Sequence, residues 1–313
     1  MKKAIVVGHT GQDGTYLFSI LKEKKYSLRG ISKHTVFPKT ATKINIENYS
    51  EVSSFVKKFQ PNEIYFLAAV HQSSVDKKIE DGELFHRSFN INVKSLVNFL
   101  ESIRLFSPKT RLFYAASSHI FGNPVSFSQN ENTTLNPNCV YGITKTAGLR
   151  TCHFYRENYN VFASVGIFYN HESPLRESKY VSKKIVETAV AIKKKKNQEL
   201  ILGNLESEID WGYAPDYMSA VYQIMQLDKP DDFVISSGKI HSIKDFVQGV
   251  FNYLGLDWQK YVKINSALIT KKQKKNLYGD NSKIKNVTGW FPKTDFNSMI
   301  KILVDEELKK YAK

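Results

Sequence analysis

Ala4-Ile5-Val6-Val7 is an unbroken apolar run closed by Gly8. A short run of this kind, bounded by glycine, predicts a strand buried on both faces of a parallel sheet. A helix is predicted next over Thr15–Lys25, and a second strand ends near Gly30-Ile31-Ser32. The alternation Ile44-Asn45-Ile46 predicts a third strand, followed by a helix over Val52–Phe59. Glu63 to Ala69 predicts a fourth strand that runs into a turn of small residues. An amphipathic helix is expected near Asn92–Ile103, then a fifth strand over Arg111–Ala116 that ends at Ser117. Asn138 marks the start of a helix carrying Tyr141 and Lys145, and Phe162–Phe168 predicts a sixth strand. Strands alternating with helices predict an α/β fold, a doubly wound parallel Rossmann sheet with right-handed crossovers.

Past Asn170 the elements shorten and the loops lengthen. Asp232 to Ser236 predicts one more strand, and His241 to Leu254 a helix. The expected division is a dinucleotide-binding domain over 1–170 and a smaller C-terminal α/β substrate-binding cap over 171–313, with 205–236 partly returning to the first sheet. Ligands of such sheets bind outside the carboxyl ends of the strands.

The 313 residues are 42% hydrophobic and 13% aromatic, ample for a buried core and against disorder. No apolar stretch approaches the roughly 18 residues that span a bilayer, and Ala4 to Val7 is too short for a secretory leader. Cys139 and Cys152 offer neither a disulfide framework nor metal spacing, so a reducing cytoplasm and no metal are expected. The net charge of +15 is spread along the chain, with runs at Lys193–Lys196 and Lys271–Lys275. No nucleic-acid-binding signature accompanies it, which favours a phosphate-bearing substrate over nucleic acid.

Gly8-His9-Thr10-Gly11-Gln12-Asp13-Gly14 follows a strand and opens a helix. Glycine permits the tight turn and lets backbone approach a pyrophosphate at the helix N-terminus, so this turn predicts dinucleotide binding. At the end of the second strand an acidic residue would hold ribose hydroxyls and an arginine would accept a 2′-phosphate. Ser32-Lys33-His34 is neither; NAD is the preferred cofactor and NADP the alternative.

Tyr141 and Lys145, four apart, share one helix face. A free tyrosine is a poor base at neutral pH, but a lysine ammonium and a nicotinamide cation stabilise its phenolate. The phenolate then takes a hydroxyl proton while hydride leaves the same carbon. Ser117, at a strand end, can hold that hydroxyl.

With these parts together the chain resembles an extended short-chain dehydrogenase/reductase, and within that group it is similar to the GDP-mannose 4,6-dehydratases. The resemblance is carried by GHTGQDGTYL from Gly8, AASSHIFG from Ala115, YGITK from Tyr141, NHESPLR from Asn170, LGNLESEIDWGYAPDYMSAV from Leu202, DDFVISSGKIHSIKDFV from Asp231 and GDNSKIKNVTGW from Gly279. It covers nearly the whole chain. It implies that a GDP-sugar binds between the two domains, with Ser117, Ser118, His119, Tyr141, Asn170, Val181, Lys184 and Asn204 at the substrate. It further implies Asn45 and Ile46 near the cofactor's adenine and Leu67-Ala68-Ala69 beneath the cofactor.

Four departures from that family matter. Its Thr-x-Glu pair reads Ser117-x-His119, which keeps the hydroxyl but loses the carboxylate that abstracts the C5 proton during elimination. His119 is then a substrate contact, a replacement base or a structural residue. An arginine before Asp-Trp-Gly is Ile209, so Lys184 or the Lys271–Lys275 run is expected to hold the diphosphate. Two arginines after the second strand are Ser32-Lys33. The following loop, which helps build a tetramer in the family, is shorter, so a homodimer is expected. The expected enzyme oxidises C4 of a GDP-linked manno-configured sugar, GDP-D-glycero-D-manno-heptose by preference, for surface polysaccharide synthesis, and stops at the ketone. It then needs a second hydride acceptor or tight retention of its cofactor. The alternatives are a 4,6-dehydratase with His119 as base, and a non-catalytic dinucleotide-binding partner protein.

Overall fold

The computed structural model describes residues 1–33, 42–72, 79–196, 198–268 and 277–311. Six parallel strands form the central sheet in the order β2-β1-β3-β4-β5-β9. They are β1 (Lys3–Val7), β2 (Ser27–Ile31), β3 (Glu63–Phe66), β4 (Arg111–Ser117), β5 (Ala163–Phe168) and β9 (Asp232–Ile235). Their residues are almost entirely buried, as the unbroken apolar runs predicted. On one face pack α2 (Tyr49–Phe59), α4 (Ser95–Phe106) and α5 (Val140–Tyr159), on the other α1 (Gln12–Glu23) and α7 (Ala214–Ile224).

The predicted strand at Ile44–Ile46 does not form. The Asn45 side chain accepts the Glu47 N–H at 3.0 Å, and the Asn48 N–H closes the turn on the Asn45 carbonyl. This local turn satisfies the backbone while Ile44 and Ile46 still pack against the core, so their alternation reflects two anchored side chains and not a ladder. The amphipathic helix predicted at Asn92–Ile103 is the second half of a longer rod. α3 (Asp81–Phe89) runs through a π-turn at Asn90–Lys94 into α4.

The second half of the chain is smaller. β6 (Asn170–Glu172), β8 (Glu208–Tyr213) and β10 (Ile240–Ser242) form a three-stranded sheet, and β7 (Leu200–Leu202) pairs with β11 (Val262–Ile264). α6 (Val181–Lys193), α8 (Ile243–Tyr253) and α10 (Phe296–Lys309) share a separate apolar core around Trp211 and Phe246. α9 (Ser282–Thr288) lies beside β9 and α7, with Ile284 buried in the core of the large sheet. No helix of the described residues is long and apolar enough to cross a membrane.

Candidate functional site

The first turn of α1 opens onto a cavity of about 1200 Å³ at the carboxyl ends of the strands. Gly8 sits at φ +93°, and a Cβ there would lie 2.8 Å from the Ala68 nitrogen, so this position requires glycine. Gly14 is equally constrained, since its Cβ would meet the Gly8 carbonyl at 2.2 Å. Gly11 differs. Its Cβ would make only an ordinary 3.5 Å contact, and Gly11 lines the cavity, so packing does not demand glycine there. The space left open above a helix N-terminus fits a dinucleotide's phosphates. Thr10, Asp13, Ser32, Lys33, Asn45, Ile46, Leu67, Ala68 and Ala69 line the same cavity. Gln12 does not; its side chain binds Ser173 and the His171 carbonyl and ties α1 to β6.

Ser117, His119, Tyr141 and Lys145 meet in this cavity. Ser117 ends β4 and accepts the His119 N–H at 3.3 Å. Lys145 is 1% exposed, and its ammonium donates to the Ala115 carbonyl at 2.6 Å. Burial lowers the Lys145 pKa to about 7, opposed by the Asp13 carboxylate. Burial pushes the Tyr141 phenol up, opposed by Arg176 and by a hydrogen bond with Ser117. Asn92, in the π-turn, reaches α5 at Thr144, between Tyr141 and Lys145. Its amide donates to Thr144 Oγ1 at 2.9 Å and accepts the Val70 N–H at 3.0 Å. A π-turn rotates one side chain out of helical phase, and such turns are frequent at functional sites.

The structure adds residues that the sequence did not single out. His71 packs edge-to-face on Tyr141 with ring centroids 4.8 Å apart, and Tyr180 Oη lies 3.3 Å from its Nδ1. Arg176 stacks on Tyr180 at 3.6 Å and pairs by distance with Glu172 at 3.2 Å, without hydrogen-bond alignment. His171 lies between two acceptors, the Tyr169 carbonyl at 2.7 Å and Asp13 Oδ1 at 3.0 Å. Burial opposes its charge, but Asp13 outweighs burial and raises the His171 pKa. Asp13 responds in mirror image: burial would raise its pKa, and His171 draws it below the ordinary value. His171 and Arg176 belong to the NHESPLR segment, where they were legible as charged residues but not as cavity residues.

Of the substrate positions, Asn170 and Val181 line the cavity. Ser118 is buried in the turn behind Ser117. Lys184 and Asn204 lie outside the wall. The Lys184 ammonium donates to the Ile201 carbonyl at 2.7 Å, and Asn204 accepts the Glu206 N–H in a local turn. Lys271–Lys275 falls outside the described residues. Among the described residues, the cations that line the cavity are Lys33, Lys43, Arg87, Lys145, Arg176 and Lys179. Among the described residues its acidic side chains are Asp13 and Glu47. No group of described residues is arranged to hold a metal ion.

A family model described as GDP-mannose 4,6 dehydratase matches residues 5–303. GDP-mannose 4,6 dehydratase 2 of Arabidopsis thaliana is 34% identical over 98% of this chain and 87% of its own length. Among solved structures, a UDP-glucose 4-epimerase from Thermotoga maritima with UDP-glucose superposes with a TM-score of 0.86 at 19% identity, covering 99% of this chain and 100% of its own. A dTDP-glucose 4,6-dehydratase from Bacillus anthracis in complex with NAD gives 0.84 at 18%, covering 100% and 98%.

Proposed function

We propose, because this chain belongs to the GDP-mannose 4,6 dehydratase family of nucleotide-sugar enzymes, that it oxidises C4 of a GDP-linked manno-configured sugar and releases the 4-ketone without dehydrating it. The observation that carries this reading is the pairing of an intact Ser117–Tyr141–Lys145 constellation with a cavity whose described acidic residues are Asp13 and Glu47 alone. Asp13 is held by His171, and Glu47 follows Asn45 and Ile46 at the far end expected for the adenine. A carboxylate beside Tyr141, of the kind that takes the C5 proton, is replaced by His119.

The chemistry follows from the geometry. Ser117 Oγ accepts a backbone N–H and is thereby oriented to hold the substrate hydroxyl. Tyr141 takes the C4 hydroxyl proton, and Lys145 stabilises the phenolate as charge develops. Ser117 and Lys145 are buried and Tyr141 is half-buried at the cavity wall, so few waters can compete for that proton. The turn from Gly8 to Gly14 and the Ser32–Lys33 and Asn45–Ile46 edge would hold a nicotinamide dinucleotide, which would supply the hydride acceptor; an enzyme that stops at the ketone would then need cofactor exchange or a second acceptor. NAD is the proposed cofactor. NADP is the alternative, because Lys33 and Lys43 line the cavity. In this reading residues 1–170 hold the cofactor and 171–313 mainly the GDP-sugar. A homodimer is proposed; Phe154 and Tyr159 of α5 form a half-exposed aromatic cluster beside Arg104 of α4.

The second reading, a 4,6-dehydratase with His119 as base, is favoured by the printed activity of the relatives. One experiment decides between them. The protein is incubated in D2O with NAD and either GDP-mannose or GDP-D-glycero-D-manno-heptose, and the products are weighed by mass spectrometry. Loss of two hydrogens without deuterium at C5 is expected, with the heptose preferred. Loss of water with deuterium at C5 would refute the oxidative reading and make the chain a dehydratase.

A further inference from the structure

We propose that Cys139 is a positioning residue that sets the proton inventory of His119, holding it with hydrogen on Nε2 as a donor toward the sugar. Cys139 is the N-cap of α5, extended at φ −145° and ψ 157°, and its Sγ accepts the Gly142 N–H at 3.4 Å. Cysteine is not among the preferred N-cap residues, whose oxygens accept more strongly. Capping alone therefore leaves the choice of a thiol unexplained. The same Sγ lies 3.7 Å from His119 Nδ1.

Sγ accepts from Gly142 and keeps one hydrogen to give; donated to Nδ1, that hydrogen leaves the imidazole's own on Nε2. In this arrangement the second ring nitrogen presents a donor and not a lone pair. The partner on one ring nitrogen fixes what the other can do. Tyr141, on the same helix, has its ring centroid 5.8 Å from that of His119, and His71, from the segment after β3, lies at 6.4 Å. Ser117, two residues earlier, holds the His119 backbone. His119 thus stands at the wall of the cavity among hydroxyl and imidazole groups, and a donor there suits a sugar hydroxyl or the 4-ketone. It does not suit removal of a C5 proton. The inference rests on the proposed reading only in taking this part of the cavity as the sugar's place.

The test is a nitrogen-15 histidine spectrum of the intact protein, which separates the two ring nitrogens by protonation. His119 is assigned among the 8 histidines by the signal lost in His119→Gln. Wild type is expected to show hydrogen on Nε2. Cys139→Ala should raise the Nδ1–H form by roughly tenfold, the bias of one hydrogen bond. Cys139→Ser, which keeps a donor hydroxyl, should hold the Nε2–H form dominant. A cap with no further role would change thermal stability in the alanine variant but leave the His119 tautomer unmoved. Hydrogen on Nδ1 in wild type, or a His119 signal indifferent to Cys139→Ala, overturns the proposal. Because this readout needs no turnover, its failure is separate from that of the oxidative reading, which the product mass decides.

Discussion

Replacing Asp13 by Asn removes one charge from a largely buried pair while keeping its shape. The Asp13 and His171 side chains are 24% and 10% exposed, with Nε2 and Oδ1 3.0 Å apart. The His171 pKa is raised in the folded chain, so its share of stability is complete below the ordinary value of 6.5 and is lost as pH rises through the raised value. The Asp13 pKa is lowered, so its share is complete above 3.8 and is lost as pH falls through the lowered value. Between those two ordinary values the pair is fully formed. A hydrogen bond to a charged group is worth roughly 1.5–3 kcal/mol against about 1 for a neutral one, and the partial exposure favours the low end. Asp13→Asn should therefore cost about 1–2 kcal/mol near pH 6. At high pH the neutral imidazole must leave one ring nitrogen without hydrogen, facing either the Tyr169 carbonyl or residue 13. A carboxylate cannot donate to that nitrogen, whereas the Asn amide can turn its NH2 toward it. The gap should then close or change sign near about pH 9. Urea unfolding of both proteins at the two pH values measures it, with unchanged slopes reporting a pure stability effect. A gap that is constant with pH, or that widens as pH rises, would refute the imidazolium assignment.

Tyr141→Phe should lower the turnover of any oxidised GDP-sugar by at least about a hundredfold, while cofactor and nucleotide affinity measured by calorimetry stay within a few-fold; a milder loss of turnover would remove Tyr141 as the base. Asn92→Ala leaves the Val70 N–H and the Thr144 hydroxyl without this partner in the interior and should destabilise the fold by about 3 kcal/mol in chemical denaturation, with turnover reduced because Lys145 follows Thr144. A change under about 0.5 kcal/mol would mean that neighbouring groups or water replace the amide.

The central constellation was legible because its geometry is local. Gly8, Gly11 and Gly14 lie on one turn, Tyr141 and Lys145 on one helix face, and Ser117 where an apolar strand runs out. The failures have equally physical causes. Lys183 and Lys184 differ by one helical position, about 100° of rotation. Lys183 goes inward to Glu307 at 2.8 Å and Lys184 outward to Ile201, a phase that only the packing of α6 on α10 decides. Ile44-Asn45-Ile46 has the period of a strand, but Asn45 competes for its own backbone and wins. His71, Arg176 and Tyr180 come together from segments about a hundred residues apart, and no periodicity records such a meeting. Asn92 reads in the sequence as the start of a helix, whereas it lies in the π-turn from which it bonds Val70 and Thr144.

The sixth strand of the central sheet is contributed by the later half of the chain. β9 pairs with β5 from Val165–Asp232 to Phe168–Ile235, and α7 covers α1. A fragment ending at Asn170 would leave β5, six wholly buried residues, as a bare apolar edge. Such an edge is a template for another chain, so the fragment should aggregate where the intact protein does not. The later half would in turn carry an orphan strand and an orphan helix. In the vocabulary of protein engineering, the two halves are woven and cannot be exchanged as modules: a hybrid that borrows its sugar specificity from a relative must take β9 and α7 from the same parent as β5 and α1, and leave the transplant to the loops between them.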